Sequence, residues 1–463
     1  MNSTETVASP RGATLLATPS TGSQDTRSKR LLELKVRLHQ KLINGIDMRV
    51  METVSTDVLV TQLRSAAENL CQDHIDLLTQ EERSQLVDEL VDETLGLGPL
   101  ESLLNDPTVS DILINGPSNV FVERRGRLEK TATQFRSLEH LIEIVQRIAG
   151  RVGRRIDESS PIVDARLADG SRLNAVFRPL AIDGALVSIR RASSRPFTAT
   201  DLVAHSSISK EMLAFLAACV GGGINIVISG GTGAGKTTLL NILSSFIPST
   251  ERIVTIEDAA ELQLQQPHVA KMETRPANLD GRGEVTSRDL LRNALRMRPD
   301  RIIIGECRGS ETFDMLQSMN TGHDGGLSTV HANNSREAIS RLTMLTAMAV
   351  PDLPMHIIQR QIASSIDLVV QVSRLESGQR KVTQISEVTG MLGENVSMHD
   401  IFTWQPSGVN ADHVPVGQFV SSGIVPACVE KLKQKGWDLP LELFSMGVNP
   451  EERIDRVWKG EMR

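Results

Sequence analysis

Four short stretches hold residue types at spacings suited to phosphate chemistry. In "INIVISGGTGAGKTTLLN" the pattern Gly230-x-x-x-x-Gly235-Lys236-Thr237 follows an apolar run and opens a helix-like segment. Glycines let such a loop bend until successive N–H groups point at one anion, and the following helix offers its positive end. Gly230, Gly231, Thr232, Gly233, Ala234, Gly235, Lys236, Thr237 and Thr238 are therefore the expected cradle for ATP. Lys236 reaches the β and γ oxygens and the Thr237 hydroxyl ligates Mg²⁺. In "RPDRIIIGECRGSET", residues 298 to 312, three isoleucines lead into Gly305 and Glu306. Hydrolysis needs a carboxylate that orients water against the terminal phosphate, and Glu306 ends a strand where open α/β sheets hold ligands. An exposed strand-end glutamate is the plain alternative. Gly305 stands where such a strand usually ends in an aspartate for magnesium.

Two further stretches are open to more than one use. "IVTIEDAAELQL" places Glu257 and Asp258 at a strand end, where Mg²⁺ held through waters tolerates carboxylates. The same acids could simply favour a helix N-terminus. "TGHDGGLSTVHANN" sets His323 and His331 eight residues apart across a short strand. Two histidines without a third ligand are weak evidence for a metal. Either histidine could bond a backbone group, or the pair could sense nucleotide. Arg308 lies beside Glu306 and has Glu311 as a possible partner.

Positioning these residues calls for a parallel sheet. "INIVI", "RIVTI", "RIIIG", "LSTV" and "LVVQV" are nearly continuous apolar runs alternating with helical segments, the texture of a sheet covered on both faces. The organisation read from composition is a disordered tail over 1–27, a helical bundle over 28–96, an α+β domain over 97–195, a linker over 196–204, a RecA-like domain over 205–390 and an extension over 391–463. Within the bundle, Leu31, Leu34, Leu38 and Leu42 recur at helical spacing in a segment with six basic residues and one acidic one between Arg27 and Lys41. Its polar face is solvated or touches a membrane surface or a partner. A helix is expected around Asp57–Gln72, and Thr79 with Glu82 forms a capping box for the next. In the α+β domain, strands are expected at 112–114, 120–122, 173–177 and 186–189, with one helix over 138–151. Turns fall at Asn115-Gly116, Arg125-Gly126, Asp169-Gly170 and Asp183-Gly184. Beyond 390 some strand and a helix around 426–435 are expected.

Composition narrows the function. The net charge of -7, 3% aromatics and no tyrosine argue against a general nucleic-acid binder. The four cysteines Cys71, Cys219, Cys307 and Cys428 form no CxxC pair, which points to a reducing cytosol. No signal peptide is recognisable and the longest apolar passage, 212–228, is broken by glycines.

"GGTGAGKTT", "TIEDAAELQL", "RMRPDRIIIGECRGSET" and "TGHDGGLSTVHANN" together resemble the Walker A, Asp, Walker B and His boxes of the type II/IV secretion ATPase superfamily. In that family the Walker B strand often ends in Gly-Glu. "GPLESLLNDPTVSDILINGPSNVFVERRGRLEKT" and "SPIVDARLADGSRLNAVF" are similar to the N-terminal domain of its CpaF (TadA) branch, the tight-adherence or Flp pilus ATPases; the likeness spans about 75 to 390 and departs at Arg178. The tetracysteine insertion of the type II exporter ATPases is absent from this sequence. The resemblance implies an α/β fold in which a RecA-like P-loop NTPase domain with a parallel-rich sheet follows an α+β, PAS-like domain and a small helical bundle. It implies an ATPase using ATP and Mg²⁺, with Lys236, Glu306, Glu257, His323 and His331 catalytic and Thr237, Glu257, Asp258 and Glu306 at the metal. Arg166, Arg172 and Arg190 match positions that complete the ATP site from the N-terminal domain; ordinary surface arginines are the alternative. Further implications are a hexamer at the cytoplasmic face of the bacterial inner membrane, platform proteins as partners that bring it to the membrane, and pilus assembly or protein secretion as the work. The alternatives are a type IV secretion or retraction ATPase, an ATP-dependent switch with little turnover, and a nucleic-acid translocase.

Overall fold

The computed structural model describes residues 34–35, 37–39, 41–42, 56–72, 78–124, 126–167, 169–191, 197–275, 277, 282–410 and 415–445. The tail expected over 1–27 and residue 196 of the expected linker lie outside them. The chain divides into two compact units between residues 193 and 194.

The first unit opens with helices. The described residues between 34 and 42 are helical and bury Leu34, Leu38 and Leu42 against Leu59 and Leu63 of α1 (Thr56–Gln72) and Leu86 and Leu90 of α2 (Gln80–Leu95). The capping box of α2 is formed, with Glu82 N–H donating to Thr79 Oγ1 at 3.2 Å and Thr79 N–H to Glu82 Oε2 at 2.8 Å. Six antiparallel strands follow: β1 (Val109–Asn115), β2 (Val120–Arg124), β3 (Arg127–Lys130), β4 (Ile162–Arg166), β5 (Arg172–Phe177) and β6 (Ala185–Arg190). Their order is β3-β2-β1-β6-β5-β4. The amphipathic α3 (Leu138–Arg151) covers one face with Leu141, Ile144, Val145 and Ile148. β3 and β4 were not expected from the sequence; the fully exposed "RLEK" of β3 has no apolar alternation to reveal it.

The second unit is built on a nine-stranded sheet. Its central strands are β7 (Ile226–Gly230), β8 (Ile253–Glu257), β9 (Val269–Glu273), β10 (Arg301–Ile304), β11 (Leu327–Val330) and β12 (Leu368–Arg374), all parallel in the order β12-β7-β11-β10-β8-β9. Helices fill the crossovers: α4 (Lys210–Gly221) precedes β7, and α5 (Lys236–Ser244), α6 (Ser287–Ala294), α7 (Glu311–Asn320), α8 (Ser335–Ala349) and α9 (Met355–Ser365) follow in order. The isoleucine run is explained by the two faces. Ile303 packs in one core layer with Ile226 and Ile228, whereas Ile302 and Ile304 pack in the other with Val227 and Val254. A strand covered on both sides has no polar alternation to conserve.

Two stretches differ from the expected organisation. Residues 199–204, expected as linker, form a helix whose cap Thr198 exchanges hydrogen bonds with Asp201. Residue 390, expected as a domain edge, lies inside β13 (Arg380–Leu392), which pairs antiparallel with β12 and continues through β14 (Asn395–Val409) and β15 (Pro415–Ser421). After α10 (Cys428–Gln434), Phe444 returns to the main core, where its ring packs edge-on against Phe215 at 5.5 Å and tilted against Phe402 at 5.9 Å. Truncating this buried ring should therefore cost about 3–5 kcal/mol, as for other core phenylalanines. Urea unfolding of Phe444→Ala tests this; an independent appendage would leave the main transition unmoved.

Candidate active site

Parallel strands share a C-terminal edge, so the register alone gathers the ends of β7, β8, β10 and β11. The phosphate loop leaves β7 at Gly230. A Cβ there would lie 2.4 Å from the Val372 carbonyl oxygen of β12, so only glycine fits. Gly235, at φ 101°, turns the chain into α5 and serves as its N-cap.

Lys236 is buried beside its own loop. Its Nζ donates to the carbonyls of Gly230 and Gly231, each at 3.1 Å, and lies 3.3 Å from both ring nitrogens of His331. His331 Nε2 in turn is 3.0 Å from Glu306 Oε1. Burial, then the Lys236 charge, hold the His331 pKa below its usual 6.5. The neutral tautomer that suits this place carries its proton on Nε2 and donates it to Glu306, with the Lys236 ammonium equidistant from both ring nitrogens. Lys236 is itself depressed, mainly by burial, with Glu306 acting in the opposite direction.

Glu306 is fixed on both sides through its backbone. Gly305 N–H donates to Ile256 O at 2.9 Å, Thr329 Oγ1 to Gly305 O at 2.8 Å, and Cys307 N–H to Thr329 O at 2.8 Å. β10 is thus clamped between β8 and β11 at the residue before and the residue after the carboxylate. Arg308 Nη2 holds Glu306 Oε2 at 2.8 Å and its Nη1 reaches Asp258 Oδ2 at 3.4 Å. Glu311, the possible partner of Arg308, accepts from the backbone N–H groups of Arg308 and Gly309, while the guanidinium turns to Glu306 and Asp258.

Gly305 also has a local reason. A Cβ on it would stand 3.1 Å from Cγ of Glu257, which crosses it. The Glu257 carboxylate is buried, and burial pushes its pKa up. Its Oε2 accepts the N–H groups of Glu261 and Leu262 at 2.7 and 2.9 Å, in an irregular turn and not at a helix start. Oε1 is buried without a protein partner. That orphaned acceptor, with the half-buried Thr237, suits an oxygen-seeking cation; no cluster of three metal-binding side chains occurs among the described residues. A magnesium ion that keeps its waters and phosphate ligands needs no such cluster.

The sequence profile of the family described as type II/IV secretion system protein matches residues 93–415. The chain belongs to the type II/IV secretion system protein family. A Mycobacterium tuberculosis relative named as a conjugal transfer protein is 38% identical over 300 residues, covering 64% of this chain and 85% of the relative. The type IV secretion system protein VirB11 of Bartonella henselae is 32% identical over 345 residues, covering 65% and 96%. Among solved structures, the VirB11 ATPase of Brucella suis in complex with sulphate is 29% identical, covers 64% of this chain and 97% of that one, and has a TM-score of 0.35. The pilus retraction motor PilT with bound ADP is 17% identical, covers 73% and 86%, and has a TM-score of 0.47.

In this family member the remaining expected residues fall in different places. His323 precedes β11 while His331 follows it, so the strand puts His323 at the opposite edge of the sheet. It is therefore not part of the phosphate site built by this chain. Arg166, Arg172 and Arg190 belong to the first unit, where strand register sets them side by side across β4, β5 and β6. Arg172 lies 3.6 Å from Asp164 and Arg190 lies 3.3 Å from Asp111. Within this unit the carboxylates of Asp164 and Asp111 offset the charge of two of these arginines. Sequence reasoning missed Arg380, which bonds the phosphate loop from β13; only the β12–β13 register reveals it.

The lowered His331 pKa has a definite sign for stability. The unfolded histidine takes up a proton near pH 6.5 while the folded one resists, so stability falls as pH drops through that value and is flat above it. Urea midpoints from about pH 8 to about pH 5.5 should fall more steeply for wild type than for His331→Asn. Parallel curves for the two proteins would contradict the neutral bridge.

Proposed function

We propose that this chain is an ATP-hydrolysing motor that powers pilus assembly or protein secretion, of the CpaF or TadA branch. The observation that carries the reading is the Lys236–His331–Glu306 line, which sets a phosphate-binding cation and a candidate base at one strand edge. The loop N–H groups and Lys236 bind the β- and γ-phosphates, and Lys236 exchanges its own loop carbonyls for phosphate oxygens. Glu306 accepts the proton of the attacking water, while His331 and Arg308 hold the two carboxylate oxygens in position. Thr237, with Glu306 or the open oxygen of Glu257 and Asp258 beside it, would hold Mg²⁺. Bound magnesium would supply neutralising charge at the β and γ oxygens.

The row Arg166, Arg172 and Arg190 is proposed to bring guanidinium charge to the transferring phosphoryl group. Loss of the γ-phosphate then loosens the first unit from the second, and that motion is the mechanical output. A hexameric ring at the cytoplasmic face of the bacterial inner membrane, bound to platform proteins, belongs to the same reading. No described helix is long and apolar enough to cross a membrane, so membrane association would run through partners. Relatives named for conjugal transfer and type IV secretion favour a second reading, an ATPase of a type IV secretion machine. Neighbouring genes for small pilins and two polytopic platform proteins would decide for the pilus.

Steady-state phosphate release tests the chemistry. Glu306→Gln should lower kcat by about 10²-fold or more, the usual effect of losing a general base, with ATP affinity held within a few-fold. Turnover equal to wild type would place the base elsewhere, and negligible wild-type turnover would favour a nucleotide-dependent switch. Stimulation by DNA or RNA would revive the translocase.

A further inference from the structure

The phosphate loop is held from a direction that none of its own motif supplies. Arg380, first residue of β13, donates from Nε to the carbonyl of Gly233 at 2.9 Å. Its stem lies along the loop as well, since a Cβ on Gly235 would be 3.3 Å from Arg380 Cδ. The cross-strand partner of Arg380 is Arg374, whose Nη1 would lie 3.5 Å from a Cβ on Gly233. A tight turn closes this hairpin, with Leu375 N–H donating to Gln379 O at 2.7 Å and Gly378 N–H to Leu375 O at 2.8 Å. β12 pairs directly with β7, Val372 opposite Gly230, so the hairpin and the loop leave adjacent strands at the same edge.

Peptide geometry makes the Arg380 bond consequential. In a trans peptide the carbonyl of one residue and the N–H of the next point in opposite directions. Drawing the Gly233 carbonyl outward turns the Ala234 N–H inward, where it meets Gly231 O at a long 3.3 Å. That weak internal bond is easily exchanged for a phosphate oxygen. A glycine-rich loop without such a tether samples many peptide orientations, and each must be given up when an anion binds.

We infer that Arg380 is a positioning residue for the phosphate loop: its bond to Gly233 presets the inward Ala234 N–H toward a nucleoside diphosphate or triphosphate. The inference rests on the ATP-binding reading above. The contribution is made to the loop and its diphosphate contacts, so it is felt by ADP and ATP alike and mainly in binding. The bond uses Nε, which leaves the Nη hydrogens for an anion, while Arg374 adds positive charge beside Gly233.

Full-length wild type, Arg380→Gln and Arg380→Met separate the possibilities. The glutamine amide nitrogen stands at the place of Nε along the side chain and keeps the bond without charge; methionine keeps the length and loses both. Calorimetric titration with ADP and with ATP should show about tenfold weaker binding in Arg380→Met, and Arg380→Gln within about threefold of wild type. KM for ATP should rise in Arg380→Met with kcat nearly unchanged. Unliganded unfolding midpoints should match in all three proteins. Equal ADP affinity in wild type and Arg380→Met overturns the inference alone, as does Arg380→Gln binding as poorly as Arg380→Met. A fall in the unliganded midpoint of Arg380→Met marks a role in folding and overturns it too. Wild type that binds neither nucleotide would remove the ATP reading itself, and this inference with it.

Discussion

His331 stands between Lys236 and Glu306, two opposite charges that it keeps in one neighbourhood without a ligand. A neutral imidazole can donate to an anion from one ring nitrogen while its other nitrogen stays an acceptor, so it sits beside both charges without carrying one. Because it is neutral, it transmits polarity without adding a third charge to a half-buried place. The rest of the site is arranged around this line. Arg308 balances the far oxygen of Glu306, and the loop carbonyls satisfy Lys236 until something better is offered.

Holding that line demands a rigid frame, and the sheet supplies it through backbone bonds. His331 is confined between the end of β11 and the capped start of α8, where Asn334 accepts from Glu337 N–H. Glu306 is confined by its neighbours on β8 and β11, with the Thr329 hydroxyl adding a bond that a valine could not. Gly305 carries no catalytic atom, yet its lack of a side chain lets Glu257 pack across it. The position is a packing compromise between two acids on adjacent strands.

Much of this was legible in the sequence, for identifiable reasons. The glycine-rich loop is a local pattern with residues at fixed steps, so its place between a strand and a helix at Gly230 to Thr237 could be read without coordinates. The parallel sheet was legible because strands covered on both faces are uniformly apolar, as Ile302 to Ile304 are. What was not legible depends on which strand lies beside which. His323 and His331 looked like a pair along the chain, but the strand between them sends them to opposite edges. Nothing local marks Arg380; its place at the loop follows only from β12 pairing with both β7 and β13. β13 to β15 were obscured because an antiparallel extension with one exposed side carries a weaker apolar signal than the core it continues.

One contact bears on how the molecule comes into being. The Val372 carbonyl of β12 forms a wall against Gly230, and β7 lies between β11 and β12, both encoded well downstream of it. During synthesis the glycine-rich loop therefore emerges long before either strand that will flank it. A ribosome that has just released residue 240 carries a nascent chain with the motif and no cradle. Competence for nucleotide arrives only after β12 has left the exit tunnel, which delays any templating by the ligand until the central sheet is nearly whole.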